Sequence, residues 1–279
     1  MKTWKKLLAG AGLGLALSAG AQAAIVTDWT YTLVSQWTAY APGGVSNPNP
    51  LTLQWGTSTG FGQSSLVITN PSASNSVGTY IGGGSPPATY IAPGSAITHT
   101  NRPITGTSLT SATLTATLNL QATTPPVGGP GALPSLQYNI RFVETSNSAP
   151  CADPTSPTPC NDIFIQLTGL LNQSFTFDSD GAGPDDPVTY FVNVFPISGG
   201  VLNAYGLGDP NKPAAVCTAA SVAAPCIGFT TPENAATTLQ FGFTISTERL
   251  SVPEPGSIAL IGAALLGAGF WRRRRSLEV

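Results

Sequence analysis

The chain has 279 residues, of which only 9% are charged, and a formal net charge of −2 that is set largely at its two ends. Lys2, Lys5, Lys6, Arg272, Arg273, Arg274 and Arg275 are cationic, whereas between Ala24 and Ser251 four cations (Arg102, Arg141, Lys212, Arg249) meet eleven acids, a formal charge of −7. Such an acidic body excludes the phosphate contacts that nucleic acid and anionic lipid demand, while its length of about 230 residues suffices for one sizeable core.

The first segment is an export signal. Lys2, Lys5 and Lys6 precede an apolar run from Leu7 to Ala19, which closes on Ala21-Gln22-Ala23, the small-x-small pattern cut by signal peptidase. Cleavage after Ala23 removes residues 1–23 from the fold; the rival reading, a permanent anchor, needs a longer run.

The body is poor in Glu, Lys, Arg and Gln and rich in Thr, Ser, Asn, Gly and Pro, so helices are disfavoured. Its apolar residues recur at every second position, the period of a strand with one buried face. Trp29, Tyr31, Leu33 and Trp37 share one parity, as do Leu51, Leu53 and Trp55. Leu114, Ala116, Leu118 and Leu120 alternate with Thr113, Thr115, Thr117 and Asn119. The same period returns in Leu136, Tyr138, Ile140, Phe142; in Ile163, Ile165, Leu167; in Val188, Tyr190, Val192, Val194; and in Leu239, Phe241, Phe243, Ile245. Pro, Gly, Ser and Asn clusters separate them at 41–50, 82–87, 121–135, 150–160, 179–187 and 196–213. About ten antiparallel strands are expected, in an all-β, jelly-roll-like β-sandwich spanning residues 24–250. Residues 121–135 read as a long loop within one domain, the alternative being a boundary between two halves. The tryptophans read as core; the alternative is an exposed sugar-stacking platform.

The only histidine, His99, lies in Thr98-His99-Thr100-Asn101. Ser-His-Asp chemistry would need a nucleophile and an orienting carboxylate brought to it from elsewhere, so a polar structural node is the expectation for Thr98, His99 and Asn101, with ligand contact or general-base chemistry as alternatives. Cys151 and Cys160 enclose eight residues, as do Cys217 and Cys226. In an exported chain these spacings suggest two local disulfides, although four cysteines permit three pairings; zinc is disfavoured because neither pair has the short spacing of a metal knuckle. Asp178, Asp180, Asp185 and Asp186 gather four carboxylates around Gly181 and Gly183. This is either a solvated acidic turn between strands ending at Phe177 and starting at Val188 or a calcium loop, although it lacks the full EF-hand pattern. No other cofactor is expected.

The C-terminus has three parts: Pro253-Glu254-Pro255, an uncharged stretch at 256–271, and Arg272, Arg273, Arg274 and Arg275. As a helix the stretch would be about 24 Å long, a marginal span of a bilayer, and the arginines would hold its end in the cytoplasm. Residues 252–275 resemble the PEP-CTERM sorting signal of exported proteins from Gram-negative bacteria. That resemblance implies recognition by exosortase, a transient inner-membrane stage through a short transmembrane helix, and delivery to the cell surface or matrix near exopolysaccharide and biofilm loci. Thr98-His99-Thr100-Asn101 is similar to the motif that names the THxN group of these proteins. Cys160-Asn161-Asp162-Ile163-Phe164 and Thr231-Pro232-Glu233-Asn234 resemble further segments of that group, to which no activity is attached. The expectation is therefore a non-enzymatic structural or adhesive protein of a biofilm or floc. A carbohydrate-binding module is the alternative, and a hydrolase using His99 is the third reading.

Overall fold

The computed structural model describes residues 24–72, 75–82, 84–167, 170–180, 187–197 and 201–251. Signal segment 1–23 and tail 252–275 lie outside these residues, as do Asp185 and Asp186 of the acidic turn. Among the described residues no helix is long and apolar enough to cross a membrane.

Alternation of large apolar and small polar residues makes strands. The longest are β1 (Asp28–Ala41) and, later in the chain, β9 (Ser111–Thr124). Between them come β2 (Ser46–Asn49), β3 (Thr52–Trp55), β4 (Thr57–Ser58), β5 (Ser64–Thr69), β6 (Asn75–Tyr80), β7 (Ala92–Thr100) and β8 (Ile104–Thr105). After β9 follow β10 (Gly128–Ala132), β11 (Leu136–Val143), β12 (Asp162–Gln166), β13 (Leu170–Phe177), β14 (Val188–Pro196) and β15 (Asn203–Tyr205). A short helix α1 (Ala214–Ala219) then leads to β16 (Cys226–Thr231) and β17 (Ala236–Ser246).

Among the described residues, fifteen strands form one large sheet with two arms. One arm runs β15-β16-β12-β11-β9-β1, and the other runs from β17 through β7, β5 and β3 to β2, with β14 and β13 beyond β17. Strand β6 joins them, antiparallel to β1 and parallel to β17 over Ile245 and Ser246. The arms fold against each other, because aromatic rings from one pack on rings from the other. Tyr31 of β1 meets Phe243 of β17 with centroids 4.8 Å apart, Tyr138 of β11 meets Phe241 at 5.4 Å, and Trp55 of β3 meets Phe142 of β11 at 5.0 Å. Trp29 of β1 lies edge-on to Tyr190 of β14 at 5.2 Å and beside Phe175 of β13 at 5.9 Å.

Burial of each such ring stabilises the packed arms by about 1.5–3 kcal/mol, and their polar ends are satisfied as well. Trp29 Nε1 donates to Thr79 Oγ1 at 2.8 Å, Tyr31 OH donates to the Pro93 carbonyl at 2.8 Å, and Trp37 Nε1 donates to the Leu51 carbonyl at 3.2 Å.

The structure departs from the sequence reading in three places. Residues 121–135 are not a bare loop: β9 continues to Thr124 beside β1 and turns back as β10, whose Gly128 and Gly131 pair with Ala122 and Leu120. Strand β12 does not bury one face only. Phe164 enters the main core while Ile163 and Ile165 are wholly buried on the other side, under Val216 and Ala220 of the α1 segment. Leu167, expected to continue that buried row, lies past the strand end and is exposed. Finally, there are more strands than the alternating patterns suggest, because β5, β6, β7, β13 and β16 are short or unpatterned. In β7, Ser95, Ala96 and Ile97 are buried in succession.

Candidate functional site

Strand β7 carries the histidine motif between β17 and β5, with His99 opposite Thr237 on one side and Leu66 on the other. Placing β7 inside the arm turns His99 inward. It has no exposed surface, its ring stacks on Trp55 with centroids 5.8 Å apart and planes 11° apart, and the Phe142 ring stands edge-on at 4.8 Å. Among the described residues neither ring nitrogen has a hydrogen-bond partner. Burial holds its pKa down at about 3, so the imidazole is neutral at physiological pH.

The neighbours of the motif divide in the same way. Thr98 Oγ1 shares a hydrogen bond with Thr238 Oγ1 at 2.8 Å on the outward side. Asn101 is fully buried: its backbone amide donates to the Ala235 carbonyl at 2.8 Å and its Nδ2 to the Thr231 carbonyl at 3.2 Å. Arg102 Nη1 donates to Asn234 Oδ1. These bonds clamp the end of β7 to the turn between β16 and β17.

Three acids gather at this end of the sheet. Asp162, 1% exposed, begins β12 directly opposite Thr231 in the ladder with β16, so both side chains leave the same face. Its Oδ1 accepts from the Thr145 backbone amide at 2.9 Å. Glu144 follows β11, and its Oε2 accepts from Trp55 Nε1 at 3.3 Å. Glu233 sits in the β16–β17 turn beside Asn101. Burial, followed by the Glu144 charge, pushes Asp162 up to about 9. Burial, partly opposed by the Trp55 hydrogen bond, pushes Glu144 up to about 7. Burial also raises Glu233, against the backbone amide of Asn234 and the side chain of Asn101. Asp162 and Glu144 also share a side-chain hydrogen bond, and among the described residues the polar atoms left without a partner here are Asn101 Oδ1 and Thr231 Oγ1, besides the two nitrogens of His99.

The structure thus brings together His99 and Asn101 of one motif, Asp162 of the second and Glu233 of the third. Glu144 joins them without having been singled out in the sequence. Its signal was a carboxylate two residues beyond Phe142, on the parity of the alternating run Leu136 to Phe142.

The other predicted positions lie elsewhere. Both disulfides are local, Cys151–Cys160 and Cys217–Cys226. The second ties α1 to the start of β16 and closes a small apolar cluster with Tyr205 and Val216. Asp178 follows β13, and its Oδ1 accepts from the Asp180 amide at 3.1 Å, the geometry of an acidic turn. Among the described residues no group of three His, Cys, Asp or Glu is placed to hold a metal ion. Trp29, Trp37 and Trp55 are buried, so none of them offers a stacking surface.

Residues 251–275 match the family model for the PEP-CTERM protein-sorting motif. No curated protein matches the chain. The motif supports a PEP-CTERM protein and implies export, a membrane-associated C-terminal sorting signal and processing by exosortase.

Proposed function

We propose that this chain, a PEP-CTERM protein whose sorting motif implies export and exosortase processing, is a structural or adhesive component of an exopolysaccharide-associated biofilm or floc. In this reading signal peptidase removes residues 1–23, the tail holds the protein briefly in the inner membrane of a Gram-negative cell, and exosortase releases it to the surface or matrix. The sorting motif is the observation that carries the proposal. The body is consistent with it: a disulfide-pinned, acidic β fold, read here as a jelly-roll-like sandwich, suits a protein that persists outside the cell. We also assign it to the THxN group, because residues from all three resembling segments converge at one end of the sheet. His99 supports packing more than catalysis, since a wholly buried imidazole with unbonded nitrogens has no nucleophile to activate.

The test is genetic. Removing the gene from an exosortase-bearing, exopolysaccharide-producing host should weaken cell-to-cell cohesion. The intact chain should restore it, and a chain with Pro253, Glu254 and Pro255 replaced by alanine should not. Undiminished cohesion in the deletion strain would overturn the adhesive role.

A second reading, a carbohydrate-binding module, is favoured by one surface. The outward face of β1 and β9 sets Thr32 opposite Asn119, Val34 opposite Thr117 and Gln36 opposite Thr115, an uncharged array of hydroxyls and amides around the exposed Val34. Saturable binding on a glycan array, weakened by Thr117→Lys, would favour this reading over the first.

A further inference from the structure

The geometry points to a binding site for a divalent, oxygen-seeking cation of the calcium class, built from the carboxylates of Glu144 and Asp162 and the neutral oxygens of Asn101 and Thr231. It is distinct from the acidic turn at Asp178 and does not depend on the adhesive reading of the whole protein.

Four observations carry it. Asp162, Asn101 and Thr231 are each at most 1% exposed, and among the described residues Asn101 Oδ1 and Thr231 Oγ1 have no hydrogen-bond partner. Thr231 stands across the ladder from Asp162, so its Oγ1 and the Asp162 carboxyl share one face of the sheet. The Asn101 side chain is fixed to this wall by its Nδ2 bond to the Thr231 carbonyl, leaving Oδ1 as the unpaired end. The Glu144 carboxylate, held by Trp55 Nε1, shares a hydrogen bond with Asp162 that a bound cation would replace, and Glu233 adds negative charge nearby.

These donors are hard oxygens of the kinds calcium takes: carboxylate, amide carbonyl and hydroxyl. Buried oxygens left unpaired are costly, and a cation bound among them would relieve that cost. Among the described residues no three acidic or histidine side chains surround one point; this site takes two carboxylates, Glu144 and Asp162, and its remaining donors are neutral oxygens. Of the nearby cations, Arg102 is engaged by Asn234. Arg141 lines a surface cleft with Ser108, Glu144 and Ser221, and that cleft gives solvent access to Glu144. His99 is held neutral behind Trp55 and does not compete for the charge.

Terbium, a calcium substitute that emits when energy passes to it from a nearby indole, tests the site directly because Trp55 is bonded to Glu144. Titration of the purified protein with terbium should give tryptophan-sensitised emission that calcium displaces. Asp162→Asn should weaken terbium affinity by about tenfold or more, whereas Asp178→Asn combined with Asp180→Asn should leave it unchanged. In the unaltered protein, millimolar calcium should raise Tm relative to EDTA. Equal Tm in calcium and EDTA would overturn the site, as would emission that survives both Asp162→Asn and Glu144→Gln or that vanishes only in the Asp178 and Asp180 variant. If Asp162→Asn does not fold, Glu144→Gln and the Tm comparison decide.

Discussion

At the scale of single residues, the most consequential fact is that His99 and Asp162 are buried with opposite protonation preferences. His99 has a folded pKa near 3, below its usual 6.5, so the folded state binds fewer protons than the unfolded chain between these values. Its contribution is therefore present above pH 6.5 and lost as pH falls toward 3. Against a His99→Leu variant, the unaltered protein should lose stability progressively across that window; parallel urea midpoints from pH 7 to 4 would contradict the burial argument. Asp162 behaves in the reverse sense. Its folded pKa near 9 lies above the usual 3.8, so the folded state holds a proton the unfolded chain gives up. That contribution is full below about pH 4 and disappears as pH rises through 9, with Glu144 adding a similar loss up to about 7. In EDTA, Tm should fall between pH 6 and 9, and Asp162→Asn should flatten the fall.

At the scale of elements, two features can be tested without touching the cluster. Gly228 lies in β16 where a Cβ would run into the Phe164 carbonyl oxygen and the Ile165 side chain. The pairing of β16 with β12 needs this close approach. Gly228→Ala should destabilise the protein by about 1–3 kcal/mol through overpacking, measured as a shift in denaturant midpoint. The Cys217–Cys226 bridge closes a loop of about ten residues, worth about 2.7 kcal/mol in the chain-entropy model. Replacing both cysteines by serine should cost that order of stability, and local exchange of amide hydrogens should rise first in α1 and β16. Protection unchanged in α1 would mean that Val216 and Ala220 hold this segment by packing alone. The strands follow the same logic of legibility. Long alternating runs such as Leu114 to Leu120 and Leu136 to Phe142 could be read directly, because one face meets the core and the other meets water. Strands covered on both faces, such as β12, lose that alternation, and Gly-rich β10 never had it, since neither composition reports which neighbour will cover the strand.

At the scale of the whole molecule, the body is acidic and the cations gather at the two ends, which in the proposed reading act at different stages of the protein's handling. The sorting motif at 251–275 implies that the basic end is an address. In an exosortase-bearing host, alanines at Pro253, Glu254 and Pro255 should leave the protein at its unprocessed mass; unchanged processing on an immunoblot would remove the basis for the sorting reading. The candidate site belongs to this scale too. His99, Asn101, Asp162 and Glu233 could be picked out as parts of separate short segments, but nothing in their spacing says that they meet.

By itself, the sequence determined local and terminal properties: strand periodicity, the charge of the body and the order Pro-Glu-Pro, apolar stretch and arginines. It made the local cysteine pairs the favoured pairing without excluding the others. Each depends on residues near one another in the chain. Tertiary structure decided what depends on distant partners. It set His99 between Trp55 and Phe142, placed Asp162 across from Thr231, brought Glu144 to their side and covered the outer face of β12 with α1. The physical reason is that burial and charge coupling are properties of the space around a group. In a sheet whose neighbouring strands lie far apart in the chain, that space is filled by residues whose positions the local pattern does not encode.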